Sequence, residues 1–158
     1  MSFCRSDSLV VHEEVADEFI KVLSGLISDR KASAKLEGFT DWRGLFSKVH
    51  AVRVTGLIND ALGKGANIVI GKAQTEHNIV QPVVIEGITP EMNIYFEEIF
   101  GPALTLTRFK TIGEAIEIAN RSEYGLAASI YGSNETECFA LAQEIESGQV
   151  HINGATVQ

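Results

Sequence analysis

Glu97 and Glu98 stand side by side in Tyr95-Phe96-Glu97-Glu98-Ile99-Phe100-Gly101-Pro102, followed by two large apolar residues and a Gly-Pro pair. An ionised carboxylate only accepts hydrogen bonds, and its oxygens can receive both hydroxyls of a diol. Gly101 is expected to permit a backbone turn that other residues resist, while Pro102 fixes its own φ and removes a donor. Directly afterwards, residues 103–109 read as a strand. Glu98 and Phe100 therefore belong at a chain reversal just before a strand, a good place to present side chains to a ligand. Glu97 reads as a solvent-facing neighbour. Composition alone also supports a plainer reading, an acidic loop with one buried Phe.

The chain has two cysteines, Cys4 and Cys138. A cysteine attacks carbon through its thiolate, and an unperturbed thiol with pKa about 8.5 needs activation. Cys138 falls on an expected helix beside Phe139, where inert packing suits it. Nothing suggests a disulfide scaffold, and no Cys-x-x-Cys pair suggests zinc. His12, His50 and His77 are scattered without metal-ligand spacing. His151 reads as a strand histidine with a satisfied hydrogen bond. The sequence holds neither a Gly-x-Ser-x-Gly nucleophile elbow nor a Gly-x-Gly-x-x-Gly phosphate loop.

The elements that must position these groups follow from periodicity. Residues 8–12 are short, apolar and β-branched, a strand. Residues 13–28 repeat apolar side chains (Val15, Phe19, Val22, Leu23, Leu26, Ile27) at a helical period with acids in the first turn, which predicts a core-packed helix. Residues 31–46 read as a loop. Ser47 caps a helix to about Leu62, with Val49, Val52, Leu57, Ile58, Ala61 and Leu62 largely on one side and glycines at its end. Residues 67–71 form a strand and 72–78 a polar turn. Residues 79–86 form another strand, placed at an edge or bulged by Pro82. Thr111-x-x-Glu114 is a capping box opening a helix to about Asn120. Residues 127–131 form a strand. Asn134 caps a helix to about Ser147 with Phe139, Leu141, Ala142 and Ile145 as its stripe, and residues 149–152 form the last strand. Strands alternating with crossover helices predict an α/β fold: an open, largely parallel sheet with helices on both faces.

The bounds are those of one globular unit. The chain has 158 residues, 45% hydrophobic and 22% charged. That length can bury roughly 70% of the unfolded surface. A net charge of −8 argues against nucleic acid or an anionic membrane as partner. The start carries no apolar signal region, and no run approaches the roughly 20 apolar residues of a membrane span. The expected compartment is reducing and cytoplasmic.

Glu-Glu-Ile-Phe-Gly-Pro, continued by Arg108-Phe109 and by Ala119-Asn120-x-Ser122-x-Tyr124-Gly125-Leu126-Ala127, resembles the catalytic domain of the NAD(P)-dependent aldehyde dehydrogenase family. The resemblance runs from about Ser8 to Gln158 and implies a single partial catalytic domain over 1–158. The cofactor-binding domain and the end of the family domain are expected to be absent. It implies NAD or NADP as coenzyme and an aldehyde as the small-molecule substrate, oxidised to a carboxylate through a cysteine thiohemiacetal and thioester. Homo-oligomers are implied for the full-length family. By the same resemblance Glu98 receives the nicotinamide ribose hydroxyls and Phe100 packs beside that ribose. Cys4 is the equivalent of the nucleophile if one residue is missing between it and the strand, since ungapped counting from His12 puts Phe3 there. Met1-Ser2-Phe3-Cys4 keeps only the cysteine of the family's Gly-Gln-x-Cys, and the other reading is an exposed thiol. Asn153, Gly154, Thr156 and Val157 resemble the substrate-lining loop, nearest in pattern to enzymes acting on vanillin or salicylaldehyde. The family's general base and an oxyanion-hole Asn fall upstream of this sequence, so the isolated chain is not expected to turn over. The alternative is a non-catalytic binding or assembly fragment of such an enzyme.

Overall fold

Side chains write several of the helix starts. Ser47 Oγ accepts from the His50 amide at 3.1 Å and opens α2 (Lys48–Gly63). The Thr111 hydroxyl accepts from the Glu114 amide while the Glu114 carboxylate receives the Thr111 amide, a complete capping box for α3 (Ile112–Asn120). Asn134 Oδ1 receives the amides of Thr136 and Glu137 at the start of α4 (Glu135–Ala142). The computed structural model describes residues 8–28, 32–33 and 42–156. Its other elements are β1 (Ser8–His12), α1 (Glu13–Ser28), β2 (Ala32–Ser33), β3 (Trp42–Arg43), β4 (Asn67–Gly71), β5 (Thr75–Glu76), β6 (Ile79–Val80), β7 (Val83–Glu86), β8 (Ala103–Phe109), β9 (Ala127–Ile130) and β10 (Gln149–Ile152), with a 3-10 turn at Asn93–Tyr95.

The central sheet runs β1-β8-β7-β4. β1, β8 and β7 are mutually parallel, and β4 joins β7 antiparallel. Alternation along β7 sends side chains to opposite faces. Val83 and Ile85 join Ala51, Val54, Leu57, Ile58 and Ala61 of α2 in one core. Val84 joins Ile70 and Leu106 in the other, against Ile20, Leu23 and Ile27 of α1. A helix thus covers each face of an open α/β sheet, as the alternation of elements predicted.

Several local expectations are corrected. The residues 31–46 loop contains a short parallel ladder, Ala32 with Trp42 and Ser33 with Arg43. The expected strand over residues 79–86 is divided, with β6 ending at Val80 and β7 starting at Val83 just past Pro82. β7 is internal rather than an edge strand, because it pairs with β8 on one side and β4 on the other. The irregularity lies instead on β4, between Ile68 and Ile70. β9 and β10 form their own parallel pair apart from the central sheet. α1 turns Ala16, Ile20, Leu23 and Ile27 inward and leaves Val15, Phe19, Val22 and Leu26 exposed. Val49 and Val52 of α2 are likewise exposed. α4 stops at Ala142 because long-range bonds take over. Asn120 Nδ2 donates to the Glu144 carbonyl at 2.7 Å, and its Oδ1 receives the Glu146 amide at 2.8 Å. Phe139, expected in the helix stripe, is exposed. Among the described residues no helix is long and apolar enough to cross a membrane.

Candidate functional site

The 3-10 turn delivers the chain to Glu97, whose amide donates to the Asn93 carbonyl at 3.1 Å. The turn is pinned from α2, since Asp60 Oδ2 receives the Asn93 amide at 2.8 Å. Lys64 Nζ sits 2.7 Å from Asp60 Oδ1. These contacts, the Lys64 bond first, hold the Asp60 carboxyl below its ordinary range. Ile99 then plugs into the core at 1% exposure, while Phe100 stands half exposed at 50%. Glu98 between Glu97 and Ile99 is partly buried. The chain reversal before β8 is therefore where the sequence placed it.

Its cause differs from the expectation. The left-handed residue is Phe100, with φ of 47°, and not Gly101. Gly101 is required for a different reason. A Cβ there would meet Val54 Cγ1 at 2.7 Å and Cγ2 at 3.0 Å, so only glycine lets the loop lie on α2. Phe100 is held in an uncommon conformation for a bulky residue, and the neighbouring side chains show how. Arg53 Nη2 donates to the carbonyls of Glu98 at 3.0 Å and Ile99 at 2.6 Å. Arg53 Nη1 lies 3.3 Å from Glu97 Oε2, so Glu97 is ion-paired as well as exposed. His50 Nε2 is 2.7 Å from the Phe100 carbonyl. A carbonyl only accepts, so that nitrogen carries the proton. The His50 ring stacks on Phe46, centroids 4.7 Å apart. Three consecutive carbonyls thus find donors on one helix. In the sequence His50 is only one of the scattered histidines, and no motif points to Arg53. Their three-residue spacing on one helix face was the signal available.

The second group of candidate residues lies on the β9–β10 pair. Asn153, also left-handed with φ of 50°, grips Gly132 from both ends of its amide: Oδ1 receives the Gly132 amide and Nδ2 donates to the Gly132 carbonyl, each at 3.0 Å. The Gly154 carbonyl accepts from Ser129 Oγ at 2.8 Å and the Tyr131 hydroxyl at 2.9 Å. The side chain of Asn153 and the carbonyl of Gly154 are thus engaged in holding the strand end. Thr156 follows, partly buried. Cys4 and Val157 lie outside the described residues. The expectation for His151 is corrected: its Nε2 is buried with no hydrogen-bond partner among the described residues. Cys138 is buried at 6% exposure, as packing predicted. Glu98 and Phe100 lead into the central sheet and residues 153–156 leave the smaller pair. The Arg121 guanidinium at the end of α3 lies 4.4 Å from the ring centroid of Tyr95.

The profile of the aldehyde dehydrogenase family matches residues 4–158. The chain is 37% identical over 155 residues to the vanillin dehydrogenase of Pseudomonas fluorescens, covering 98% of this chain and 32% of that protein. It is 38% identical over 148 residues to the NADP-dependent glyceraldehyde-3-phosphate dehydrogenase of Streptococcus equinus, covering 94% and 31%. The crystal structure of a salicylaldehyde dehydrogenase from Pseudomonas putida G7, complexed with salicylaldehyde, superposes with a TM-score of 0.87 at 35% identity, covering 96% of this chain and 31% of that one. The chain belongs to the aldehyde dehydrogenase family. It spans about a third of the length of the curated relatives it matches.

Proposed function

We propose that this chain forms part of the catalytic domain of an NAD(P)-dependent aldehyde dehydrogenase. Glu98 and Phe100 meet the nicotinamide ribose, and Cys4 is the nucleophile. The observation that carries the reading is the joint placement of Glu98 and Phe100. Both sit on the loop entering β8, with carbonyls tied back to α2 and the Phe100 ring half exposed at 50%. A partly buried carboxylate beside an exposed ring fits a sugar diol against an apolar face. The described residues fit that end of the coenzyme only, since the sequence holds no glycine-rich phosphate loop.

Topology supports the role of Cys4. β1 and β8 are adjacent and parallel, with Ser8 opposite Thr105. Ser8, at the start of β1, therefore lies at the same end of the sheet as the start of β8. In the proposed reaction the Cys4 thiolate adds to the aldehyde carbon. Bound NAD(P) supplies the hydride acceptor. Asn153 and Gly154 shape the strand end from which Thr156 and Val157 line the substrate. An aromatic aldehyde is the proposed substrate class, on the likeness to the vanillin and salicylaldehyde enzymes.

Nicotinamide riboside carries the diol without a second nucleotide and tests this directly. Its addition should shift the amide resonances of Glu98 and Phe100, and Glu98→Ala should abolish the response. Shifts confined to other parts of the chain would remove the basis for the reading. Aldehyde-dependent reduction of NAD(P), with vanillin and salicylaldehyde compared with succinic semialdehyde, tests activity and substrate class.

A further inference from the structure

We propose that Arg53 is a positioning residue for the loop that carries Glu98 and Phe100, acting on the backbone and touching no ligand. This rests on the reading of those two residues as the coenzyme-facing pair. The loop has an unusual need. Its carbonyls at Glu98, Ile99 and Phe100 are consecutive and precede β8, so the strand ladder does not satisfy them. Backbone carbonyls withdrawn from water need donors, and the bonds to those of Glu98 and Ile99 are part-buried. A guanidinium presents several N–H groups in a rigid plane and suits two acceptors at once.

The geometry uses that property. One nitrogen, Nη2, bridges the carbonyls of Glu98 at 3.0 Å and Ile99 at 2.6 Å. The other, Nη1, faces the Glu97 carboxylate at 3.3 Å. His50, one turn earlier on α2, takes the Phe100 carbonyl at 2.7 Å. The left-handed backbone at Phe100, φ of 47°, follows directly on the carbonyl that Arg53 holds most closely. Releasing that carbonyl frees the peptide plane between Ile99 and Phe100 to rotate. Phe100 then relaxes to negative φ, and the directions of its ring and of the Glu98 carboxylate change together. Glu97 adds an ion pair at the solvent side, where both partners are substantially exposed at 37% and 52%. Such a pair contributes little by itself, so the carbonyl bonds carry the positioning.

The test uses the full 158-residue chain with Arg53→Met, Arg53→Lys and Glu97→Gln. A strong intraresidue NOE between the Phe100 amide and α protons reports its positive φ and needs no ligand. Arg53→Met should lose that NOE and speed amide exchange at Glu98 and Phe100, with the β1–β8 ladder still protected. Its response to nicotinamide riboside should weaken by about tenfold, the loss of roughly one charge-assisted interaction. Arg53→Lys, which lacks the fork, should fall between, and Glu97→Gln should match the unaltered chain. Arg53→Lys also covers the case in which Arg53→Met fails to fold. Retention of the Phe100 NOE and of slow exchange in Arg53→Met, or full wild-type behaviour in Arg53→Lys, would overturn the proposal. If riboside leaves the unaltered chain unperturbed while the NOE responds as described, the positioning role stands and the coenzyme reading of Glu98 fails.

Discussion

Asn153 and Gly132 exchange two hydrogen bonds of 3.0 Å each, so one side chain closes the ends of β9 and β10 on each other. Asn is among the few residues that tolerate the left-handed backbone found here. Asn153→Asp keeps the acceptor for the Gly132 amide and loses the donor to its carbonyl. It should cost about 1 kcal/mol. Asn153→Ala loses both bonds and the tolerance for positive φ, and should cost about 2 kcal/mol. Denaturant midpoints at unchanged m-value check the order.

Gly101 and Val54 should behave as one steric unit. Gly101→Ala puts a methyl 2.7 Å from Val54 Cγ1 in a side chain with 0% exposure. Overpacking of that kind costs about 1–3 kcal/mol. Combined with Val54→Ala, the cost should be less than the sum of the two single losses. A double-mutant cycle on thermal unfolding measures the coupling, and strict additivity would contradict the contact.

Phe100 should invert the usual ranking of alanine and glycine. Glycine ordinarily destabilises through its greater freedom in the unfolded chain. At φ of 47° alanine retains the left-handed penalty and glycine does not. Phe100→Gly should therefore be the more stable variant by roughly 0.5–1 kcal/mol. Equilibrium unfolding of both proteins decides it.

Asp60 should contribute to acid sensitivity. Its carboxyl is held below the ordinary 3.8 by Lys64 first and by the Asn93 amide second. A lowered folded-state pKa gives stability that is present above 3.8 and lost as pH falls through the folded value. Asp60→Asn should remove that part of the acid slope and leave the neutral-to-alkaline slope unchanged. Urea titrations at a series of pH values provide the comparison.

Much of the architecture was legible where the cause was local. The bounds of β1 and α1, the cap at Ser47 and the box at Thr111 and Glu114 all rest on neighbours within a turn. The rest was set by partners distant in the chain. α4 ends early because Asn120, more than twenty residues away, claims the backbone of Glu144 and Glu146. The β9–β10 pair stands apart from the central sheet, a matter of packing that alternation alone does not decide. At the candidate site the motif located Glu98 and Phe100. It assigned the turn to Gly101, although the positive φ belongs to Phe100. The restraint at Phe100 comes from His50 and Arg53, with no trace in the motif itself.

The outward row on α1, Val15, Phe19, Val22 and Leu26, bears on how this chain is handled. A fluorescent dye that brightens on greasy surfaces will light up on the native molecule. That glow is usually taken as a mark of a loosened core, so quality control of this chain should rest on near-ultraviolet dichroism or amide dispersion instead.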